Sequence, residues 1–247
     1  MCTSGALAGR YLFKNRDMGP LAGLEETIVN GHGIYRYVGV AGHATPNERG
    51  LNSGINEKGI AAQMTYVGTG ELEKNIDSSI PRGVLIESIL RSAGSLQEAI
   101  DIAAGFLSRH IFVGGNITIN SPQGAAIIEE TSPRFAVEIV ENGWIVRTNH
   151  FENLSFNEKE YPHIDNSKIR NKRFHELLEG IEEDKAYVED IRNALSDHEN
   201  GADAICRHKE ISKGVLTVST AIYDIRNQKL FYTYGNPCNT QLKEYAL

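Results

Sequence analysis

Cys2 stands directly after Met1, and removal of that methionine would leave a thiol and a free α-amine on one residue. A thiol needs a base to become a nucleophile. An α-amine, with an unperturbed pKa of roughly 7.7–8.0, can take that proton near neutral pH, directly or through a water. The newly exposed residue is small, which suits methionine removal. Asp17 follows fifteen residues later in YLFKNRDMG, where Lys14, Asn15, Arg16 and Asp17 crowd together behind an apolar stretch. We read that stretch as a strand end running into a loop. If it pairs with a strand beginning at Cys2, the Asp17 carboxylate returns to the terminus and can orient the amine. An ordinary exposed turn would look the same in sequence.

Asn149 and His150 end the segment WIVRTNHFEN, an amide and an imidazole just past an apolar strand. The amide can donate to the oxyanion of a tetrahedral intermediate. His150 is a candidate general base, although a cysteine with its own amine does not need one. Cys206 and His208, with His198 upstream, form the one metal-like grouping. It lacks a second close pair such as CxxC or HxxxH, so no metal site is expected, and Cys238 in GNPC reads as a turn cysteine without a partner. The glycine pairs Gly31/Gly33 and Gly114/Gly115 make no phosphate-binding loop, so no nucleotide cofactor is expected.

The formal charge of −7 over 247 residues argues against nucleic acid, which demands a basic stripe. The nearest candidate, Lys168, Arg170, Lys172 and Arg173, reads as a solvated helix face. Hydrophobic residues at 40% and charged residues at 23% place the chain in the soluble globular class. No apolar run approaches the ~20 residues of a membrane span, and the first residues do not resemble a secretory signal. Three scattered cysteines fit a reducing compartment, so a cytoplasmic location is expected.

Positioning these residues requires strands and helices in blocks. Strands are expected at 33–41, 55–67, 115–120, 125–130, 135–140, 143–147, 215–224 and 229–234, with hairpins at SPQG, ENG and IRNQ. Paired helices are expected across PRGVLIESILRSAGSLQEAIDIAAGFL, broken at Gly94, and at 167–180 and 184–196. No linker or repeat divides the chain, so one domain over 1–247 is expected. Strand blocks alternating with helix blocks give an α+β class with antiparallel sheets, not βα units. Tyr35, Tyr37, Tyr66 and Phe151 could line an acyl pocket, and core packing explains them equally.

Taken in order, MCTSG, FKNRD, LNSGINEKGIAA, VGGNITINSPQGAAIIE, RTNHF, SKIRNKRF, ICRH and GNPC resemble one family along nearly the whole chain. It is that of N-terminal nucleophile (Ntn) hydrolases acting on linear amides, most closely the acyl-coenzyme A:6-aminopenicillanate acyltransferase-like group, with choloylglycine hydrolases (bile salt and penicillin V acylases) as cousins. The resemblance implies a four-layer αββα sandwich. It implies Cys2 as nucleophile, Asp17 positioning its amine, Asn149 in the oxyanion hole, and Arg170, or else Arg173, supporting the centre. Relatives carry Arg-Asn-x-Asp where this chain has Lys14 to Asp17, so the cation beside the sulfur falls to Lys14 or Arg16. Thr65 and Tyr66 are the candidates for a second oxyanion donor. The implied reaction is hydrolysis of a linear N-acyl amide through an acyl-Cys2 thioester, without cofactor. The alternatives are acyl transfer from a thioester to an amine, and a non-catalytic small-molecule-binding relative. The partner implied is a small molecule, and a homo-oligomer stays open.

Overall fold

The computed structural model describes residues 1–19, 25–43, 49–69, 80–155, 161, 163–212 and 214–247. Its strands form two antiparallel sheets. One holds β1 (Cys2–Leu7), β2 (Tyr11–Met18), β10 (Trp144–Arg147), β11 (Leu216–Asp224), β12 (Lys229–Tyr234) and β13 (Lys243–Ala246), in the order β10-β1-β2-β11-β12-β13. The other runs in chain order through β3 (Glu25–His32), β4 (Arg36–His43), β5 (Arg49–Asn56), β6 (Ala61–Tyr66), β7 (Gly115–Ser121), β8 (Gly124–Thr131) and β9 (Arg134–Val140).

Three apolar clusters separate four layers. Ala6, Leu12, Ala221, Tyr223 and Leu230 of the first sheet meet Val38, Val40, Ile55, Ala125 and Ile127 of the second. Helices α1 (Arg82–Ser92) and α2 (Leu96–Leu107) cover the outer face of the seven-stranded sheet through Leu85, Ile86, Ile89, Leu90, Ile100 and Ala103. Helices α3 (Ile164–Glu179) and α4 (Val188–Leu195) cover the six-stranded sheet through Phe174, Leu178, Ile191 and Leu195. The fold is therefore the α+β, four-layer sandwich that the resemblance implies. Gly94 falls in the break between α1 and α2, where Ser95 caps α2 by accepting from the Glu98 amide at 3.2 Å.

Sandwiched sheets hide both strand faces, so β1 and β2 are buried almost throughout, with no polar alternation. KNRD is thus interior strand rather than an exposed turn. Two other expectations change. The segment 55–67 is two strands, because Asn56 accepts from the amides of Lys58 and Ile60, both at 3.0 Å, and folds NEKG into a turn with Gly59 at φ +73°. ENG makes no hairpin, since it carries the chain from β9 in one sheet to β10 in the other. SPQG and IRNQ do close hairpins, β7–β8 and β11–β12. The edge strands β3 and β13 had no clear signal, being short or half-exposed with mixed residues.

Candidate active site

The β1–β2 register sets Cys2 opposite Arg16 and Ser4 opposite Lys14. Met1 extends β1 by one pair, its carbonyl accepting from the Asp17 amide at 2.8 Å and its amine donating to the Asp17 carbonyl at 2.7 Å. Side chains alternate between faces along a strand. Cys2, Lys14 and Arg16 therefore share the inter-sheet face with Ala6 and Leu12, while Thr3, Asn15 and Asp17 face the helices. The thiol and the carboxylate lie on opposite sides of one sheet, with the Cys2 nitrogen between them.

Asn149 follows β10, which pairs with β1 and so brings the amide to the start of the chain. Its Oδ1 accepts from the Cys2 nitrogen at 2.8 Å and from Arg170 Nη2 at 2.8 Å. Its Nδ2 donates to the Tyr66 carbonyl at 2.6 Å. The second N–H on Nδ2 has no partner among the described residues. Arg170 rises from α3 into the centre, where Nη1 donates to the Cys2 carbonyl at 2.6 Å and to Thr3 Oγ1 at 2.8 Å. Arg170 is fully buried, so it is no part of a solvated helix face, unlike exposed Lys168 and Lys172 on the same helix. Arg173 instead pairs with Asp197 and Glu199 away from Cys2.

Asp17 accepts from the Thr217 hydroxyl at 2.8 Å, and its Oδ2 has no partner among the described residues. Burial pushes its carboxyl above the usual range, against the nearby charges of Arg170, the chain amine and Arg207. Burial likewise lowers Arg170, and Asp17 opposes that shift. Arg16 forms a buried ion pair with Glu26. Lys14 donates to Asn52 Oδ1 at 2.7 Å and to the Met64 carbonyl.

Two weaker candidates are otherwise engaged. The Thr65 hydroxyl donates to the Thr148 carbonyl at 2.9 Å, so it offers no free O–H to an oxyanion. His150 Nδ1 lies 2.8 Å from Ser167 Oγ and 3.1 Å from Thr148 Oγ1, which gives the ring a structural place. Tyr37 belongs to the core under α1 and donates to Glu87 at 3.0 Å.

The sequence reading passed over Tyr161. It is 5% exposed, and its hydroxyl has no partner among the described residues. The ring packs over Gly68, where a Cβ would come within 2.7 Å of Tyr161 Cδ2. Burial pushes the phenol up to about 12; Arg170 opposes the shift, and Tyr66 and Cys2 add to it. Nothing in the surrounding sequence marks this tyrosine.

A family model described as acyl-coenzyme A:6-aminopenicillanic acid acyl-transferase matches residues 6–239. A search of curated protein sequences gave no match. Among solved structures, the chain is similar to conjugated bile acid hydrolase from Clostridium perfringens, at TM-score 0.62 and 15% identity over 100% of this chain and 97% of that one. It is also similar to penicillin V acylase from Agrobacterium tumefaciens, at TM-score 0.63 and 13% identity, covering 100% of this chain and 86% of that one. A Caenorhabditis elegans N-acylethanolamine-hydrolyzing acid amidase ortholog aligns at TM-score 0.58 and 16% identity, over 91% and 93% of the two chains. These likenesses show a shared Ntn-hydrolase fold, and with a family match spanning nearly the whole sequence, the chain belongs to the acyl-coenzyme A:6-aminopenicillanic acid acyl-transferase family.

Proposed function

We propose that the protein is an N-terminal-cysteine amidohydrolase that cleaves a linear N-acyl amide. The observation carrying this reading is the convergence of Asn149 and Arg170 on the backbone of Cys2, the residue that would hold both nucleophile and base, with Asp17 paired to Met1 beside it. Removal of Met1 converts the Cys2 amide into an amine and takes away the partner of the Asp17 N–H. The amine keeps the Asn149 Oδ1 acceptor and accepts the thiol proton.

The thiolate attacks the substrate carbonyl carbon, forming a C–S bond while the carbonyl electrons move to oxygen. The second Nδ2–H of Asn149 donates to that oxyanion. We assign the other donor to the Tyr161 hydroxyl, which is buried near Tyr66 at Gly68 without a partner of its own among the described residues and within electrostatic reach of Cys2. Collapse breaks the C–N bond, and the α-ammonium of Cys2 returns its proton to the leaving amine. Water then hydrolyses the thioester. An amine in its place would give acyl transfer, the activity named for the family model. Lys14 and Arg16, which share the Cys2 face of β2, are the cations we assign to the surroundings of the thiolate.

Intact mass before and after exposure to a p-nitrophenyl acyl ester tests the reading, with Cys2→Ala alongside. One acyl group added to chain lacking Met1, and absent from Cys2→Ala, is the expected result. Mature chain that takes no acyl group, or the same adduct on Cys2→Ala, would sink it. Added amine intercepting the acyl-enzyme would redirect the assignment from hydrolysis to transfer.

A further inference from the structure

Outside the active centre, four side chains from two distant segments turn toward one point. His198 and the run Cys206–His208 follow α4, and Cys238 lies in the turn after β12. Their donor atoms all fall within 4.8 Å of one another. The thiols are 3.7 Å apart, the two Nε2 atoms 3.0 Å, and His208 Nε2 lies 3.5 Å from Cys238 and 3.9 Å from Cys206. A tetrahedron built on Zn–S of about 2.3 Å and Zn–N of about 2.05 Å has edges of about 3.8 Å between sulfurs, 3.6 Å between sulfur and nitrogen and 3.3 Å between nitrogens. The four spacings above agree with those edges to within about 0.3 Å, and the remaining two, from His198 to the thiols, lie within 4.8 Å.

We propose that His198, Cys206, His208 and Cys238 are the ligands of a structural zinc ion. Two thiolates and two imidazoles are a donor set suited to zinc, and a complete set of four leaves no open position for catalysis. Binding releases two thiol protons to solvent and forms two Zn–S and two Zn–N bonds, with no change of oxidation state. Asn236 supplies an outer-shell hydrogen bond, its Nδ2 lying 3.4 Å from the Cys206 sulfur and 2.8 Å from the Arg207 carbonyl. Cys206 is buried while His198 is exposed, so the ion has a path in. A disulfide is the rival use of the two thiols. It would require the sulfurs to close from 3.7 Å to about 2.05 Å, and it gives the two histidines no role.

The site's position also suggests a purpose. Arg207 sits between two ligands and donates to the Ala202 carbonyl at 2.8 Å and to Asn166 Oδ1 at 3.3 Å. Asn166 also holds Arg170 Nε at 3.1 Å, and the Arg207 amide donates to Thr217, the hydroxyl that serves Asp17. The ion would fix this segment against the turn after β12 and thereby steady the groups around Cys2. Metal binding itself does not depend on the catalytic reading.

The test uses the full chain, reduced and freed of metal with a chelator, then titrated with zinc or cobalt(II). One metal per chain is expected, with the visible bands of tetrahedral cobalt and thiolate-to-cobalt charge transfer. Zinc should shield Cys206 and Cys238 from alkylation while Cys2 still reacts, and should raise the Tm. Cys238→Ser should weaken binding at least about tenfold. Should that variant fail to fold, the wild-type titration and alkylation map still decide. Folded, reduced chain that takes up neither metal, or that binds cobalt without thiolate charge transfer, overturns the proposal. So does isolation of the native chain with Cys206 and Cys238 joined as a disulfide.

Discussion

The two ends of the six-stranded sheet are built from the same strands to opposite purposes. At one end, Leu7, Tyr11, Phe13 and Val146 pack beneath Phe174 and Leu178, with the Phe13 and Phe174 rings edge to face at 5.6 Å. Even the glycine there is dictated by packing, since a Cβ on Gly5 would meet a Phe13 ring carbon at 2.7 Å. At the other end, the same strands bury Cys2, Lys14, Asn15, Arg16 and Asp17. Burying so many polar groups demands partners, and most are present, in Asn149, Arg170, Thr217 and Glu26. The polar atoms without partners are then informative: Asp17 Oδ2 lies by Arg170 and the chain amine, and Tyr161 Oη is buried near Tyr66. One end supplies rigidity; the other gathers the buried polar groups for which we propose chemistry.

If that division is real, mutations at the two ends should separate stability from turnover. Phe13→Ala should cost about 3–5 kcal/mol in urea unfolding while leaving turnover per folded molecule little changed. A matching loss of turnover would show that the apolar end also shapes the site. Asn149→Ala should lower kcat by about 10²–10³-fold, or about 3–4 kcal/mol on the barrier, through the lost oxyanion donor. It should also destabilise by roughly 1–3 kcal/mol, because the Cys2 nitrogen and Arg170 lose a buried acceptor.

Asp17→Asn sharpens the comparison through its sign. A carboxyl whose native pKa is raised binds its proton more tightly in the folded state, so ionisation costs stability as pH rises from the unfolded value of about 3.9 through the native one. The variant should thus be more stable than wild type at neutral pH, with the advantage vanishing in acid, while turnover falls. Equal stability curves across that range would contradict the burial effect. The smallest change is expected of Tyr161→Phe, which removes a hydroxyl that bonds to nothing described. Its stability should shift by less than about 1 kcal/mol, in either direction. Its kcat should drop with KM nearly unchanged, and unaltered kcat would remove Tyr161 from the oxyanion site.

What the sequence disclosed followed the same division. Helix pairs and most strands were legible because apolar periodicity survives in them, as in Leu85, Ile89, Leu96 and Ile100. Cys2, Asp17, Asn149 and Arg170 were singled out by chemistry and family resemblance, and the structure brings them together. The reading failed where context overrides local pattern. KNRD looks exposed until two covering layers are known, and ENG looks like a hairpin unless the sheet change is seen. Tyr161 carries no local signal. Cys206, His208 and His198 were legible as a grouping, but Cys238 read as a partnerless turn cysteine because it reaches them from thirty residues beyond His208.

The strand order of the six-stranded sheet also sets a sequence of events during synthesis. β1 and β2 emerge well before their neighbours β10 and β11, which lie more than a hundred residues downstream. At ~5–20 residues per second, the stretch from Met18 to Trp144 takes roughly 6–25 s to appear. Through that interval β1 has only β2 beside it. When β11 docks beside β2, Thr217 meets Asp17. The groups around Cys2 are thus drawn from strands made far apart in time, and a polypeptide that has reached only β2 holds Cys2 and Asp17 without Asn149, Arg170 or Thr217.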